Sequence, residues 1–281
     1  MKLAKTAAEM QKISLNLRAK GKTIGFVPTM GALHGGHASL LRAARKKNDS
    51  VVLSIFVNPA QFGPKEDFSK YPRPLAKDLA LARREKVDFV FAPSVDEMYP
   101  PGFNEFAEPG KVALPLCGKS RPGHFKGVAT AVARLFKIVC PTRAYFGQKD
   151  YQQTRVVEQL VRGLGLPVKI IVCPIVREKD GLAKSSRNAY LSERERRAAT
   201  ILSRSLRLAK KLFAKGERDA RKIVPQMKAL INSEPLARID YVEIRDAENL
   251  SKIGKISRPA VAALAVFVGK TRLIDNAVLR P

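Results

Sequence analysis

Two periodicities take turns along the first part of this chain. Met10, Ile13 and Leu17 recur at helical spacing behind Thr6-Ala7-Ala8-Glu9, which has the form of a capping box, and Gly21 is a stop. Ile24-Gly25-Phe26-Val27 reads as a buried strand, residues 38–47 return to a helical pattern, and residues 50–57 are an almost unbroken apolar run. Such runs belong to parallel strands covered on both faces. Strand, helix, strand over about 35 residues is a βαβ unit, and its crossover is expected to be right-handed.

The alternation continues with a helix over residues 75–85, a strand over 89–92, a helix over 122–139, a strand over 144–146, a helix over 151–162 and a strand over 168–172. Gly163-Leu164-Gly165 breaks the last helix, and residues 93–115 carry little period. Residues 58–74 form a long, polar, Pro-rich loop after a strand, at the edge where open α/β sheets bind ligands. These signals predict an α/β, Rossmann-like parallel sheet domain over residues 1–176. Past Val176 the character changes. A polar loop over 177–188 precedes a long charged helix capped by Ser192-Glu193-Arg194-Glu195, a second helix over 218–232, a strand over 239–245, and a hairpin of 260–268 with 272–274 turning at Gly269-Lys270. Residues 177–281 therefore read as a smaller α+β domain, a candidate lid.

Composition narrows the class. The chain has 281 residues, 45% of them hydrophobic, with no Trp and only 7% aromatics, which suits an aliphatic α/β core. No run approaches the ~20 apolar residues of a membrane span, and the N-terminus has no secretory core. Cys117, Cys140 and Cys173 are odd in number and lack metal-type spacing, so they read as reduced thiols of a cytoplasmic protein. The net charge of +27 is spread along the chain: 28 basic against 13 acidic residues before Arg177, and 24 against 12 from there on. With no basic tail or block, this reads as a surface that attracts anionic substrates rather than as a polynucleotide site.

The chemistry gathers at Val27-Pro28-Thr29-Met30-Gly31-Ala32-Leu33-His34-Gly35-Gly36-His37, a strand-to-helix turn rich in glycine. Free N–H groups at a helix start suit phosphate. The frame from Gly31 to Gly36 imitates a P-loop, but His37 stands where Lys belongs and Ala38 where Ser or Thr would meet magnesium. Gly118-Lys119-Ser120 fails the same test at Ala113, and no Gly-x-Gly-x-x-Gly is present. Zinc on His34 and His37 lacks a third ligand nearby. What remains is His-x-Gly-His after a first strand, with Lys184-Ser185-Ser186-Arg187 far downstream. This pairing is similar to that of the nucleotidyltransferase superfamily. Imidazole donors at a helix start can stabilise charge on phosphates as pyrophosphate leaves, and a basic loop can clamp the outer phosphates.

Five ordered blocks sharpen the likeness: residues 26–37; Asn58-Pro59-Ala60-Gln61-Phe62-Gly63-Pro64 with Asp67-Phe68 and Tyr71-Pro72-Arg73; residues 120–130; residues 146–153; and residues 181–188. Together they resemble the pantothenate synthetase (pantoate–β-alanine ligase) family. The resemblance implies that ATP and pantoate give a pantoyl adenylate and pyrophosphate, and that β-alanine then displaces AMP. It places Met30, Gly31, Ala32, Leu33, His34, Gly35, Gly36 and His37 on ATP, with His34 and His37 at the phosphates and His37 as the proton donor. It adds Gly147, Gln148, Lys149, Asp150, Val176, Lys184, Ser185, Ser186 and Arg187 to the ATP site, and puts Gln61 and Gln153 on pantoate or β-alanine. His34, His37, Lys149, Ser185, Ser186 and Arg187 form the implied catalytic set. Magnesium is expected with ATP, its ligands unassigned, with no tightly bound organic cofactor, and a homodimer is implied. Ala60 and Lys184 depart from the family's usual Thr and Met or Leu; Lys184 is expected to turn to solvent and contribute its backbone. The loops at 58–74 and 177–190 are candidate covers for a hydrolysable intermediate. The rivals are another adenylyltransferase, which leaves the glutamine blocks unexplained, and an RNA-binding synthetase-like module, for which the last hundred residues are short and mixed.

Overall fold

The computed structural model describes residues 1–64 and 66–281. In chain order its elements are β1 (Lys2–Ala4), α1 (Ala7–Ala19), β2 (Ile24–Thr29), α2 (Gly35–Arg45), β3 (Ser50–Ile55), α3 (Leu75–Arg84), β4 (Phe89–Phe91), α4 (Val95–Met98), α5 (Cys117–Ser120), α6 (His124–Val139), β5 (Arg143–Gly147), α7 (Tyr151–Gly163) and β6 (Lys169–Cys173). Beyond these lie α8 (Glu193–Ala214), α9 (Ala220–Asn232), β7 (Ala237–Asp246), β8 (Ala260–Val268) and β9 (Thr271–Leu279).

The first six strands form one sheet in the order β1-β4-β3-β2-β5-β6, and every pairing in it is parallel. Alternate side chains of β2 and β3 go to opposite faces, as strand geometry requires. Ile24, Phe26 and Val52 join one core, with α6 and α7 residues such as Phe136, Val156 and Leu160. Val27, Val51 and Leu53 join another, with Leu40, Leu41 and Ala44 of α2 and Ala82 of α3. That double burial is the reason these strands read as continuous apolar runs.

The three C-terminal strands make an antiparallel sheet, β7-β8-β9, with Val268 opposite Thr271 at the hairpin end. α8 and α9 cover one face, meeting Ala262, Leu264 and Val266 of β8. The other face of β8 is not free: Val261 and Ala263 enter the core of the first sheet's domain. α8 begins on a complete capping box, Ser192 with Glu195.

Several expectations shift. β1 has no counterpart in the sequence reading; three residues are too few to show a period. The helix expected from residue 122 begins at His124, because Gly123 is left-handed at φ 82° and ends the preceding turn. The strand expected to reach residue 57 stops at Ile55, and the second hairpin arm runs on to Leu279. The weakly periodic stretch 93–115 holds only single turns, at Val95–Met98 and Lys111–Ala113. Lys65, within the 58–74 loop, lies outside the described residues.

Candidate active site

β2 leads to β3 and β4 on one side of the sheet, while β5 and β6 lie on the other. The carboxyl ends of β2 and β5 therefore part at a reversal of strand order, the place where open α/β sheets bind ligands. A cavity of about 220 Å3 opens there. Its walls come from the ends of four strands: Thr29 and Met30 at β2, Asn58 and Gln61 after β3, Gly147 and Lys149 at β5, and Pro174 to Val176 after β6.

The turn after β2 is sharp. Gly31 and Ala32 are both left-handed, at φ 81° and 49°. α2 then starts with His34 as its N-cap. Nδ1 of His34 accepts the Gly36 N–H at 3.1 Å, and Nδ1 of His37 accepts the His34 N–H at 3.2 Å. A backbone N–H only donates, so each Nδ1 carries its lone pair and each ring proton sits on Nε2. A side chain at position 36 would put its Cβ 2.8 Å from Cε1 of His34, so only glycine lets that ring lie against the helix start. The two rings stand 4.1 Å apart. Burial pushes the pKa of His34 down to about 4, helped by the Lys149 ammonium. Burial pushes His37 to about 3, with His34 and then Lys149 contributing. Both imidazoles are neutral donors at pH 7.

The cations around them are already engaged. Arg187 grips Asp67 through Nε and a terminal nitrogen, at 3.1 and 2.8 Å, and lies over the Tyr71 ring. Ser186 Oγ is 3.3 Å from the Tyr71 hydroxyl, and Ser185 Oγ accepts the Arg187 N–H. The loops at 58–74 and 177–190 thus meet through these pairs. Lys184 does not turn to solvent: its Nζ is 2.8 Å from Glu178, its chain lies against Gly35, and its N–H bonds the Val176 carbonyl. Lys149 has a looser partner, Asp150 at 3.9 Å.

On the other wall, Asn58 is buried and holds Gln61: its Nδ2 donates to Gln61 Oε1 at 3.1 Å and to the Gly127 carbonyl. Gln61 Nε2 donates in turn to the Met30 sulfur. A Cβ at position 127 would come 2.0 Å from the Ala60 carbonyl oxygen, so α6 is pressed against the turn that carries Gln61. The Gln61 carbonyl accepts from His124 Nδ1 at 2.7 Å, and Arg121 donates to His124 Nε2 while pairing with Glu66. Burial and Arg121 push His124 down to about 4. Gln152 and Gln153 divide: Gln152 is buried and bonded to Cys117, Val112 and Pro115, whereas Gln153 faces the cavity.

A second cavity of about 590 Å3 adjoins the first, sharing Lys149, Asp150, Gln153, Ser185 and Arg187, and reaches the C-terminal sheet. Of the residues expected on ATP, Met30, His34, Gly36, His37, Gly147, Lys149, Asp150, Val176 and residues 184–187 line the first cavity. Gly31, Ala32, Leu33 and Gly35 are not among its lining residues. Gln148 does not line the cavity: its side chain donates to Asn276 of β9, whose amide donates back to the Gln148 carbonyl, a contact that joins the two sheets' domains. Asn58, Thr29 and Tyr71 line the cavity without having been singled out; Asn58 stood in a matching block, directly before a proline at a strand's end. Among the described residues no three His, Cys, Asp or Glu side chains cluster as a metal site.

The family model for pantoate-beta-alanine ligase matches residues 2–278. A pantothenate synthetase of Thermotoga neapolitana is 56% identical over 279 residues, covering 99% of this chain and all of that one. Among solved structures, the pantothenate synthetase of Thermus thermophilus superposes with a TM-score of 0.94 at 44% identity over the whole of both chains. A Francisella tularensis pantoate-beta-alanine ligase complexed with beta-gamma ATP and beta-alanine does so with a TM-score of 0.81 at 36% identity, covering 99% of this chain and 97% of that one. Matched from end to end in sequence and in fold, this chain belongs to the pantoate–β-alanine ligase family.

Proposed function

We propose that this chain condenses pantoate with β-alanine at the expense of ATP, through a pantoyl adenylate, in the cavity at the ends of β2, β3, β5 and β6. The observation that carries this reading is that one cavity is lined by two kinds of group. Gln61, held by Asn58, and Gln153 present uncharged amides, while His34, His37 and Lys149 present donors and one cation. An uncharged wall holds a carboxylate without drawing off its nucleophilicity. The imidazole donors and the Lys149 ammonium meet charge where it grows.

In the first step a pantoate carboxylate oxygen bonds to the α-phosphorus and the bond to the leaving pyrophosphate breaks. His34 and His37 donate from Nε2–H to phosphate oxygens as neutral rings; with pKa values of about 4 and 3 they are hydrogen-bond donors rather than proton-carrying cations at pH 7. Lys149 supplies the fixed positive charge. Arg187 and Lys184 exchange Asp67 and Glu178 for the outer phosphates. In the second step the free amine of β-alanine attacks the acyl carbon and AMP leaves. Magnesium fits the site as part of MgATP: Asp150 is the one carboxylate lining the first cavity among the described residues, and one carboxylate with phosphates and water is an ordinary magnesium environment. Bound there, the ion neutralises phosphate charge.

The division at 176/177, with residues 177–281 as a covering domain, belongs to the same reading, supported by the loop contacts over the cavity. The assembly expected is a homodimer in the cytoplasm acting on small molecules, without a nucleic-acid partner; light scattering measures the first. No helix among the described residues is long and apolar enough to cross a membrane. The deciding experiment follows pyrophosphate and AMP from ATP and pantoate, with and without β-alanine. Pyrophosphate from ATP with pantoate and pantothenate on adding β-alanine are expected, and no pyrophosphate in any combination overturns the proposal.

A further inference from the structure

Asp78 takes no part in the chemistry above. It sits in the first turn of α3, only 2% exposed, and belongs to none of the ion pairs among the described residues. A buried carboxylate without a cation is held by hydrogen bonds. Asp78 has two, both from one place: Oδ2 accepts the Ala32 N–H at 2.9 Å and Oδ1 accepts the Leu33 N–H at 2.7 Å. These residues immediately precede His34. The same carboxylate closes on the left-handed Gly31, where a Cβ would lie 3.0 Å from Oδ2. At the other end of the turn, Thr29 Oγ1 accepts the Gly31 N–H and donates to the Ser54 carbonyl.

We propose that Asp78 is a positioning residue for adenylation: its carboxylate fixes the 31–33 turn so that the His34 N–H reaches Nδ1 of His37 and keeps the ring proton of His37 on Nε2. The chain of contacts is continuous from Asp78 through Ala32 and Leu33 to His34 and then His37. A carboxylate is required rather than any acceptor of that size. Each oxygen faces its own N–H, and an asparagine has one oxygen, so its NH2 would face the second N–H donor to donor. A turn released at that point no longer holds the His34 N–H on Nδ1, and the neutral ring becomes free to carry its proton there instead, facing phosphate with a lone pair. α3 begins directly after the 58–74 loop, so the same side chain links that loop's far end to the histidine turn.

The inference rests on the adenylation reading of the site, and Asp78→Asn, which keeps shape and volume, tests it. Pyrophosphate release from saturating ATP and pantoate is expected to slow by about tenfold or more, with both KM values within about threefold of the parent. Conversion of supplied pantoyl adenylate by β-alanine is expected to stay at the parent rate. Nitrogen-15 spectra of labelled histidine at pH 7 are expected to show His37 protonated on Nε2 in the parent and mixed between tautomers in the variant. Adenylation within about twofold of the parent, equal losses in both half-reactions, a raised KM with unchanged kcat, or an unchanged tautomer overturns the proposal. Should the variant not fold, amide exchange in the parent decides: Ala32 and Leu33 exchanging as slowly as β2 supports the clamp, and exchange at open-loop rates overturns it. A parent protein that releases no pyrophosphate refutes the reaction, while the tautomer and exchange measurements still judge the clamp.

Discussion

Arg187 and Asp67, 120 residues apart in sequence, meet in a two-pronged ion pair beside the two cavities, Arg187 lining both and Asp67 the second. Both are largely covered, at 29% and 24% side-chain exposure. In the proposed reaction, ATP phosphate competes at Arg187 with a carboxylate already in place. Asp67→Asn removes the competitor and is expected to tighten ATP binding about threefold, and Arg187→Gln to weaken it by tenfold or more, on the order expected for charge-assisted hydrogen bonds. Titration calorimetry with ATP alone checks both. Weaker binding in Asp67→Asn would mean that the pair orders the loops more than it obstructs the nucleotide.

His37→Ala removes a donor from the developing phosphate charge and opens the cap of α2. Its kcat for adenylation is expected to fall about a hundredfold, at saturating ATP and pantoate. Pre-steady-state pyrophosphate release measures this. A change confined to KM would place His37 in ground-state binding only.

Adjacent glutamines are expected to fail differently. Gln152→Ala takes the acceptor from the Cys117 N–H and the donor from the Val112 and Pro115 carbonyls and is expected to cost about 2 kcal/mol of stability, read by denaturant unfolding. Gln153→Ala is expected to leave the unfolding midpoint in place and raise the KM for pantoate. The same alteration in both variants would contradict the division between the two side chains.

Acid is expected to destabilise the fold through its histidines. His34, His37 and His124 are neutral in the folded chain, with pKa values pushed to about 4, 3 and 4, and the first cause in each is burial. The unfolded chain takes up their protons near pH 6.5. Stability from these groups is thus present above pH 6.5 and is lost as pH falls toward 4, by up to about 1.4 kcal/mol per histidine per pH unit. Urea midpoints between pH 7.5 and 4.5 test the slope, and His124→Gln, outside the first cavity, is expected to make it shallower.

The sheet was legible because Val51, Val52 and Leu53 are buried on both faces and advertise it as one run. The histidine turn was legible because few structures need two histidines around two glycines. Asp78 was not, because a single Asp in an amphipathic helix looks like solvent-facing polarity; only the fold brings it to residues 32 and 33. The side-chain partner of Gln148 was hidden for the converse reason. Gln148 stands between residues that line the cavity, but its side chain turns to Asn276, a contact 128 positions away that no local pattern encodes. Lys184 likewise found Glu178 rather than solvent once the loop closed on itself.

The press of Gly127 on the Ala60 carbonyl has a consequence for selectivity. With no room for even a methyl group between them, and with Asn58 and His124 holding Gln61 from either side, any hinge in the 58–74 loop lies beyond Gln61. On the proposed function, the acid would meet a mould that keeps its shape, and the nucleotide a clasp of ion pairs, Arg187 with Asp67 and Lys184 with Glu178. In the proposed reaction, substitutions at Arg187 or Asp67 are therefore expected to change the rate without changing which acid is accepted.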